Sequence, residues 1–445
     1  MSNLNPQQLA ASKPDSGINL VIAGAGTGKT STMITKIKNI LEHSIVRHDQ
    51  ILILTFSKKA AGEIKERLSG KLKIECEPGF AGTFHSFSLK LLKDHKDEYL
   101  KHRKIDSFPA VIGKDEKESI MKELIMEKPE RFLGLPANTV IKLAENIDHL
   151  DNKILLKLKS GPLFDEITAI INKFENYKKD KLLIEFEDMI NHTAELLETY
   201  PHVRERVTSK YRYIFVDEFQ DTSENNFRLL SLLIPESSRN LFMVGDDFQS
   251  IYKFRHSRVE FIINAEKFFP GISIHKLTIN YRSHKEIIKI SNRFINLNKF
   301  RTSKKITSHN GKGGKVRFYN IDDMENEAQV LIKIISKVPE NFTIAVLYRN
   351  NYQGVFLKSK IESDNSGRKV EFMTMHGSKG LEFDAVIIAG ISDKIIPDRT
   401  SDLEEERRLF YVALTRAKKE LHLLYYRNGT DELPRFIKET GYKKN

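Results

Sequence analysis

Eight residues constrain this chain more than any others. Ala23-Gly24-Ala25-Gly26-Thr27-Gly28-Lys29-Thr30 lies between an apolar run, Ile18–Ile22, and a helix-compatible run, Ser31–Leu41. Glycines let backbone N–H groups wrap a phosphate, and the start of a helix adds partial positive charge. In this strand–loop–helix setting the eight residues read as a Walker A phosphate loop, with Ala23 where the strict pattern has glycine. Lys29 is then placed to reach the β- and γ-phosphates, and the Thr30 hydroxyl to ligate Mg²⁺. ATP and Mg²⁺ are therefore the expected cofactors.

Five further apolar runs end abruptly in polar or glycine-rich loops: Ile51–Leu54, Tyr213–Val216, Leu241–Val244, Ile344–Leu347 and Ala385–Ala389. Strands of parallel sheets look like this because helices cover both faces. The pattern predicts an α/β fold with parallel sheets. The run Tyr213–Val216 leads into Asp217-Glu218, which supplies a Walker B partner. Asp217 would hold Mg²⁺ through water, and Glu218 would orient and deprotonate an attacking water. From about Leu89 to Glu185 the strand signal fades. Charged and apolar residues mix there at helical spacing, as in Glu116–Met126 and Leu163–Tyr177, which predicts a helical insertion.

At 445 residues the chain has room for roughly three domains of about 150 residues each. With 40% hydrophobic and 30% charged residues it is neither disordered nor collagen-like. No apolar run approaches the ~20 residues of a membrane helix, and Met1–Asp15 lacks an apolar leader segment. Cys76 is the single cysteine, which excludes an intramolecular disulfide and a cysteine zinc site. A cytoplasmic setting with no membrane partner is expected.

The net charge is +12. The stretch 271–320 holds twelve Lys/Arg and one acid, Glu286, and so carries +11 of it. From Leu91 to Glu185 bases and acids are equal at eighteen each. A local excess of that size can neutralise a phosphate backbone, and Lys304, Lys305 and Lys312 are expected contacts.

The ordered motifs resemble the UvrD/Rep/PcrA family of superfamily 1 DNA helicases. Besides the two loops they include Leu4-Asn5-Pro6-Gln7-Gln8, Leu54-Thr55-Phe56-Ser57-Lys58-Lys59-Ala60-Ala61 and Gly82-Thr83-Phe84-His85-Ser86-Phe87. Asp217-Glu218-Phe219-Gln220-Asp221, Val244-Gly245-Asp246-Asp247-Phe248-Gln249-Ser250-Ile251-Tyr252 and Asn280-Tyr281-Arg282-Ser283 follow. Thr374–Phe383 and Arg407–Ala417 close the set.

The resemblance implies two RecA-like domains with ATP between them and a helical insertion in the first. The implied division is 1–88 and 186–270 for the first domain, 89–185 for the insertion and 271–445 for the second domain. The implied ATP site comprises Ala23, Gly24, Ala25, Gly26, Thr27, Gly28, Lys29 and Thr30 with five side chains. Gln8 would read the adenine edge, Tyr281 would stack on the ring and Glu382 would accept from the ribose. Arg282 and Arg416 would clamp the γ-phosphate, and Gln249 would sense it and couple it to the DNA groove. For DNA, Phe56, Tyr252 and Phe254 are the implied stacking shelves. Thr55, His85, Arg255, Arg349, Thr374 and His376 are the implied backbone contacts.

Two departures from the family are visible. Phe254 stands where a Trp is usual, and no Trp occurs in the chain. Only Asn350–Phe372 separates two motifs between which longer members carry an accessory domain. The implied activity is ATP-driven 3′→5′ movement on single-stranded DNA and at DNA junctions, with duplex unwinding. The alternative is a translocase that displaces bound proteins. RNA is a weaker candidate substrate.

Overall fold

The computed structural model describes residues 4–43, 45–72, 78–147, 158–159, 161–234, 240–363, 367–399, 401–427 and 432–443. The chain divides into two compact units. One comprises Met1–Ala81, Tyr211–Ser223 and Glu236–Asn445, and the other Gly82–Lys210 and Glu224–Pro235.

The first unit is built on two parallel sheets. Strands β1 (Ile18–Ala23), β2 (Ile51–Thr55) and β3 (Phe80–Thr83) open the chain. In the other unit β4 (Ala110–Val111) pairs with β5 (Leu183–Ile184). β6 (Tyr213–Val216), β7 (Leu241–Gly245) and β8 (Ser273–Leu277) complete a six-stranded sheet of order β3-β2-β6-β7-β1-β8. Every residue of β1, β2, β6 and β7 is buried, as their apolar runs require.

The register fixes what meets at the carboxyl edge. Val21 lies beside Val244 and Ile22 beside Gly245, while Val216 lies beside Met243. The chain therefore leaves β6, β7 and β1 side by side into Asp217-Glu218, Asp246-Asp247 and the phosphate loop. In open α/β sheets this edge is where ligands bind.

A two-stranded pair, β9 (Ile279–Asn280) with β10 (Thr307–Ser308), follows. The second sheet has the order β11-β15-β14-β12-β13, all parallel. Its strands are β11 (Lys315–Ile321), β12 (Ile344–Tyr348), β13 (Val370–Thr374), β14 (Phe383–Ile391) and β15 (Ala417–Tyr426). The helices Lys285–Ile295 and Leu403–Leu414 pack on it through Ile287, Phe294, Leu409 and Phe410, all at most 1% exposed.

The structure differs from the sequence expectation at two boundaries. The division at 270–271 falls one strand early, because β8 joins the first sheet beside β1. β8 is an edge strand with four of five residues partly or fully exposed, so it carries no continuous apolar run. The compact second unit also exceeds 89–185, because the helices Phe84–Asp94 and Phe186–Thr199 belong to it.

Within that unit the helices Lys114–Met126, Ala137–Asn146 and Pro162–Asp180 enclose Met121, Val140, Ile170 and Phe174. Lys178 is not a solvated lysine. It is buried, and Glu175, Glu185 and Asp188 lie 2.8, 2.9 and 2.8 Å from its Nζ.

Candidate nucleotide site and nucleic-acid face

The phosphate loop needs its glycines. Gly26 and Gly28 have φ of +66° and +85°, a region where a Cβ is strained. A Cβ on Gly28 would also lie 2.5 Å from Gln8 Nε2, and one on Gly24 2.3 Å from Ile306 Cδ1. Thr27, with Ala23 and Ala25, is buried in the loop, and the Thr27 hydroxyl donates to Gly24 O at 2.9 Å. Lys29 and Thr30 open the helix Lys29–Glu42.

Gln8 is anchored beside the loop. Its Nε2 donates to Thr27 O at 2.9 Å, and its Oε1 accepts from Asn5 N at 3.0 Å in a capping box. Asn5 also donates to the Tyr281 hydroxyl at 2.8 Å, and the half-exposed Tyr281 ring lies 4.7 Å from His309. Gln8 and Tyr281 thus both adjoin the loop, the Tyr281 N–H donating to Gly26 O at 2.8 Å.

Lys29 Nζ lies 2.9 Å from Glu218 Oε2. Glu218 takes a left-handed backbone, φ +51°, which is uncommon for a residue with a side chain. That turn follows Asp217, whose N–H donates to Leu54 O. Burial raises the Asp217 carboxyl, and the adjacent Glu218 adds to the effect. Burial also pushes Glu218 upward, but Lys29 and Lys379 overcome it and hold Glu218 ionised. Burial likewise pulls Lys29 down, and Glu218, Asp246 and Asp217 more than restore it.

The second sheet supplies the rest. Arg416, 1% exposed, donates through Nη2 to Gln249 Oε1 at 2.9 Å. Gln249 Nε2 donates in turn to Asp246 Oδ2 at 2.5 Å. Burial and the nearby Arg282 press Arg416 down to about 9, which leaves it charged at neutral pH. Arg282 Nε donates to Glu382 at 2.7 Å, and Lys418 reaches the same carboxylate at 2.9 Å. Burial opposes the charge on Glu382, but Lys418 and Arg282 keep the carboxyl below its ordinary range.

Several participants carried no role in the sequence reading. Gln220 links Glu218 Oε2 at 2.5 Å to the Asp246 N–H at 2.8 Å. Lys379 bonds Asp221 at 2.6 Å and Gln249 O at 3.1 Å, and lies 4.5 Å from the centre of the Tyr252 ring. Both sit inside recognised motifs, which was the available signal. Lys304 corrects an expectation. It is buried against Asp246 and Asp247 and does not face solvent as a phosphate contact.

An aromatic ledge adjoins this network. Phe254 is 56% exposed, with its ring 5.8 Å from Tyr252 and 5.7 Å from His376, both edge-on. The Arg255 guanidinium lies 5.0 and 5.5 Å from the Tyr252 and Phe254 rings. Burial lowers His376 to about 4, with Arg349, Arg255 and Lys379 adding to it, so the imidazole is neutral at pH 7. Arg349 is held by Glu406 at 3.0 and 3.3 Å, and the Thr374 hydroxyl accepts from the Gly377 N–H.

Thr55, buried at the end of β2, donates to Ser57 O at 3.0 Å, and the half-buried Phe56 follows it. His85 lies in the other compact unit, where its ring meets Phe186 edge-on at 5.8 Å.

The UvrD/REP helicase N-terminal domain matches residues 4–270, and the UvrD-like helicase C-terminal domain matches 275–367 and 357–428. The chain is 29% identical to a probable DNA helicase of Mycoplasma pneumoniae, over 95% of this chain and 83% of that protein. It is 32% identical to the ATP-dependent DNA helicase PcrA of Bacillus subtilis, over 79% of this chain and 48% of that protein. PcrA of Staphylococcus aureus matches at 29% identity over 82% of this chain and 50% of its own length. The chain thus spans about half the length of the PcrA relatives.

Proposed function

The chain belongs to the UvrD/REP helicase family of ATP-dependent DNA helicases, and we propose that it moves 3′→5′ along single-stranded DNA and unwinds duplexes. It would act in the cytoplasm on single strands and junctions, in repair, replication or recombination. The observation that carries the motor reading is the link Arg416–Gln249–Asp246, which joins both sheets. Three residues beyond Gln249 stands Tyr252, in the aromatic ledge.

The chemistry follows from the side chains. Lys29 turns from Glu218 to the β- and γ-phosphates and frees that carboxylate to take a proton from water. Gln249 orients the water, while Arg282 and Arg416 stabilise charge on the transferred phosphoryl group. Thr30 and Asp217 are hard oxygen donors. Among the described residues no cluster of three or more His, Cys, Asp or Glu forms a metal cage. That donor set suits Mg²⁺, which is commonly held by one or two carboxylates and the nucleotide phosphates. Thr30 and Asp217 would hold the ion, whose charge offsets that of the phosphate oxygens. Tyr252 and Phe254 stack on bases of any sequence, which suits a motor that steps along a strand.

A second reading, a translocase that displaces proteins without useful unwinding, is favoured by the short connection from β12 to β13. Its described residues include one helix, Asn351–Ser363. Hydrolysis of ATP with and without single-stranded DNA, together with unwinding of 3′- and 5′-tailed duplexes, tests the proposal. Unwinding confined to 5′ tails would refute the polarity. DNA-stimulated hydrolysis and protein displacement without strand separation would favour the second reading.

A further inference from the structure

The structural position of Lys304 departs from its sequence setting. It lies in the most basic stretch of the chain, yet its side chain is 0% exposed. Its Nζ lies 2.6 Å from Asp246 Oδ1 and 2.5 Å from Asp247 Oδ1, and 4.0 Å from the centre of the Phe248 ring. Thr302 reinforces the contact, donating to Asp247 through its N–H at 2.8 Å and its hydroxyl at 2.6 Å. Two residues beyond Lys304, Ile306 packs on the phosphate loop so closely that Gly24 has no room for a Cβ. Thr307 then pairs with β9, which leads into Tyr281 and Arg282.

We infer that Lys304 is a positioning residue for the hydrolytic step, and that it acts by fixing the orientation of the Gln249 amide. The inference rests on the ATPase reading above. A carboxylate only accepts hydrogen bonds and a guanidinium only donates. Asp246 therefore requires Nε2 of Gln249 on its side, and Arg416 requires Oε1 on the other. This polarity aims the amide oxygen at the donor side, where an attacking water and Arg416 would meet. It holds only while Asp246 keeps its place in a fully buried site and accepts through Oδ2. Lys304 supplies the compensating charge directly and screens Asp246 from Asp247. Without Lys304 the two buried carboxylates would stand beside each other unpaired, Asp246 would move, and the amide would lose its fixed orientation.

The test compares wild type, Lys304→Met, Lys304→Arg and the charge-balanced Lys304→Met/Asp247→Asn in full-length protein. The readouts are steady-state hydrolysis, thermal melting, and single-strand affinity against salt. Lys304→Met should lower kcat by about 10- to 100-fold through misplacement of a catalytic group. KM for ATP should stay within about threefold, because uniform nucleotide binding is retained. Lys304→Arg should recover part of kcat. The double variant keeps the net charge of the pocket, so it should fold where Lys304→Met does not, and it should still lose kcat.

A folded Lys304→Met or double variant with wild-type kcat would overturn the inference. So would a flattened salt dependence of DNA binding with kcat intact, because that marks a phosphate contact. If wild type itself hydrolyses no ATP with or without DNA, the functional reading fails and this inference fails with it.

Discussion

Replacing Phe254 by Ala tests the aromatic ledge directly. The ring is 56% exposed and stands upright between Tyr252 and His376. Its free face is the part a base would cover. Base–aromatic stacking is worth about 1–3 kcal/mol per base on alanine substitution. Phe offers a single six-membered ring, so the lower half of that range applies. About 1–2 kcal/mol corresponds to roughly 5- to 30-fold weaker binding. The edge-on pairing of Phe254 with Tyr252 and with His376 stabilises the fold by about 0.5–1.5 kcal/mol each at most, so the variant should still fold. Anisotropy of a labelled oligothymidine, titrated across a salt series, measures the effect. The affinity should fall by that factor while the slope of log K against log salt stays unchanged, because no phosphate contact is removed. Phe254→Trp should move affinity the other way. Binding within about twofold of wild type for Phe254→Ala would show that bases do not stack there.

Glu218→Gln should retain ATP binding and lose at least about 100-fold in turnover, since the water loses its base; hydrolysis near the wild-type rate would remove Glu218 from that role. Replacing Lys305 and Lys312 by Glu, with Lys304 left in place, should weaken single-strand binding and flatten its salt dependence; an unchanged slope would place both lysines off the DNA path. His376 is held at about 4 in the folded protein, below the ordinary value near 6.5. Its contribution to stability is therefore complete above about pH 6.5 and is lost as pH falls toward 4. His376→Phe should make urea melts less sensitive to pH across that window, and an unchanged pH dependence would refute the assignment.

Central strands other than β15 were legible in the sequence, and edge strands were not. Tyr213–Val216 is an apolar run whose limits coincide with β6, because helices cover both faces and every position must be apolar. β8 and β11 lie at sheet edges, where exposed and half-buried positions interrupt the hydrophobic signal. β15 is central, but Lys418, Lys419 and Glu420 near its start conceal it. The same physics divides the candidate site. The phosphate loop and Asp217-Glu218 each sit in a short contiguous motif at a strand end, so spacing alone marks them. Lys304 meets acids 57 and 58 residues earlier in the chain. Nothing local separates a lysine buried against two carboxylates from one solvated on a basic face.

The sequence places Gln249 three residues from Tyr252, and the structure adds the contacts that bind this segment. Gln249 ends a buried single-turn segment, Asp247–Gln249, pinned at Asp246 and Asp247 by Lys304 and at its side chain by Arg416. Lys379 grips the backbone carbonyl of the same residue and also lies over the Tyr252 ring. On the proposed role of Gln249 at the γ-phosphate, its backbone carbonyl would carry a change there to Lys379, which also contacts Asp221 and the Tyr252 ring. Close-packed interiors move between discrete arrangements and do not deform smoothly. A segment fixed by charged side chains on both sides is suited to such a step. The proposed hydrolytic and base-stacking residues, Gln249 and Tyr252, then stand three residues apart under one constraint, with no long relay between them.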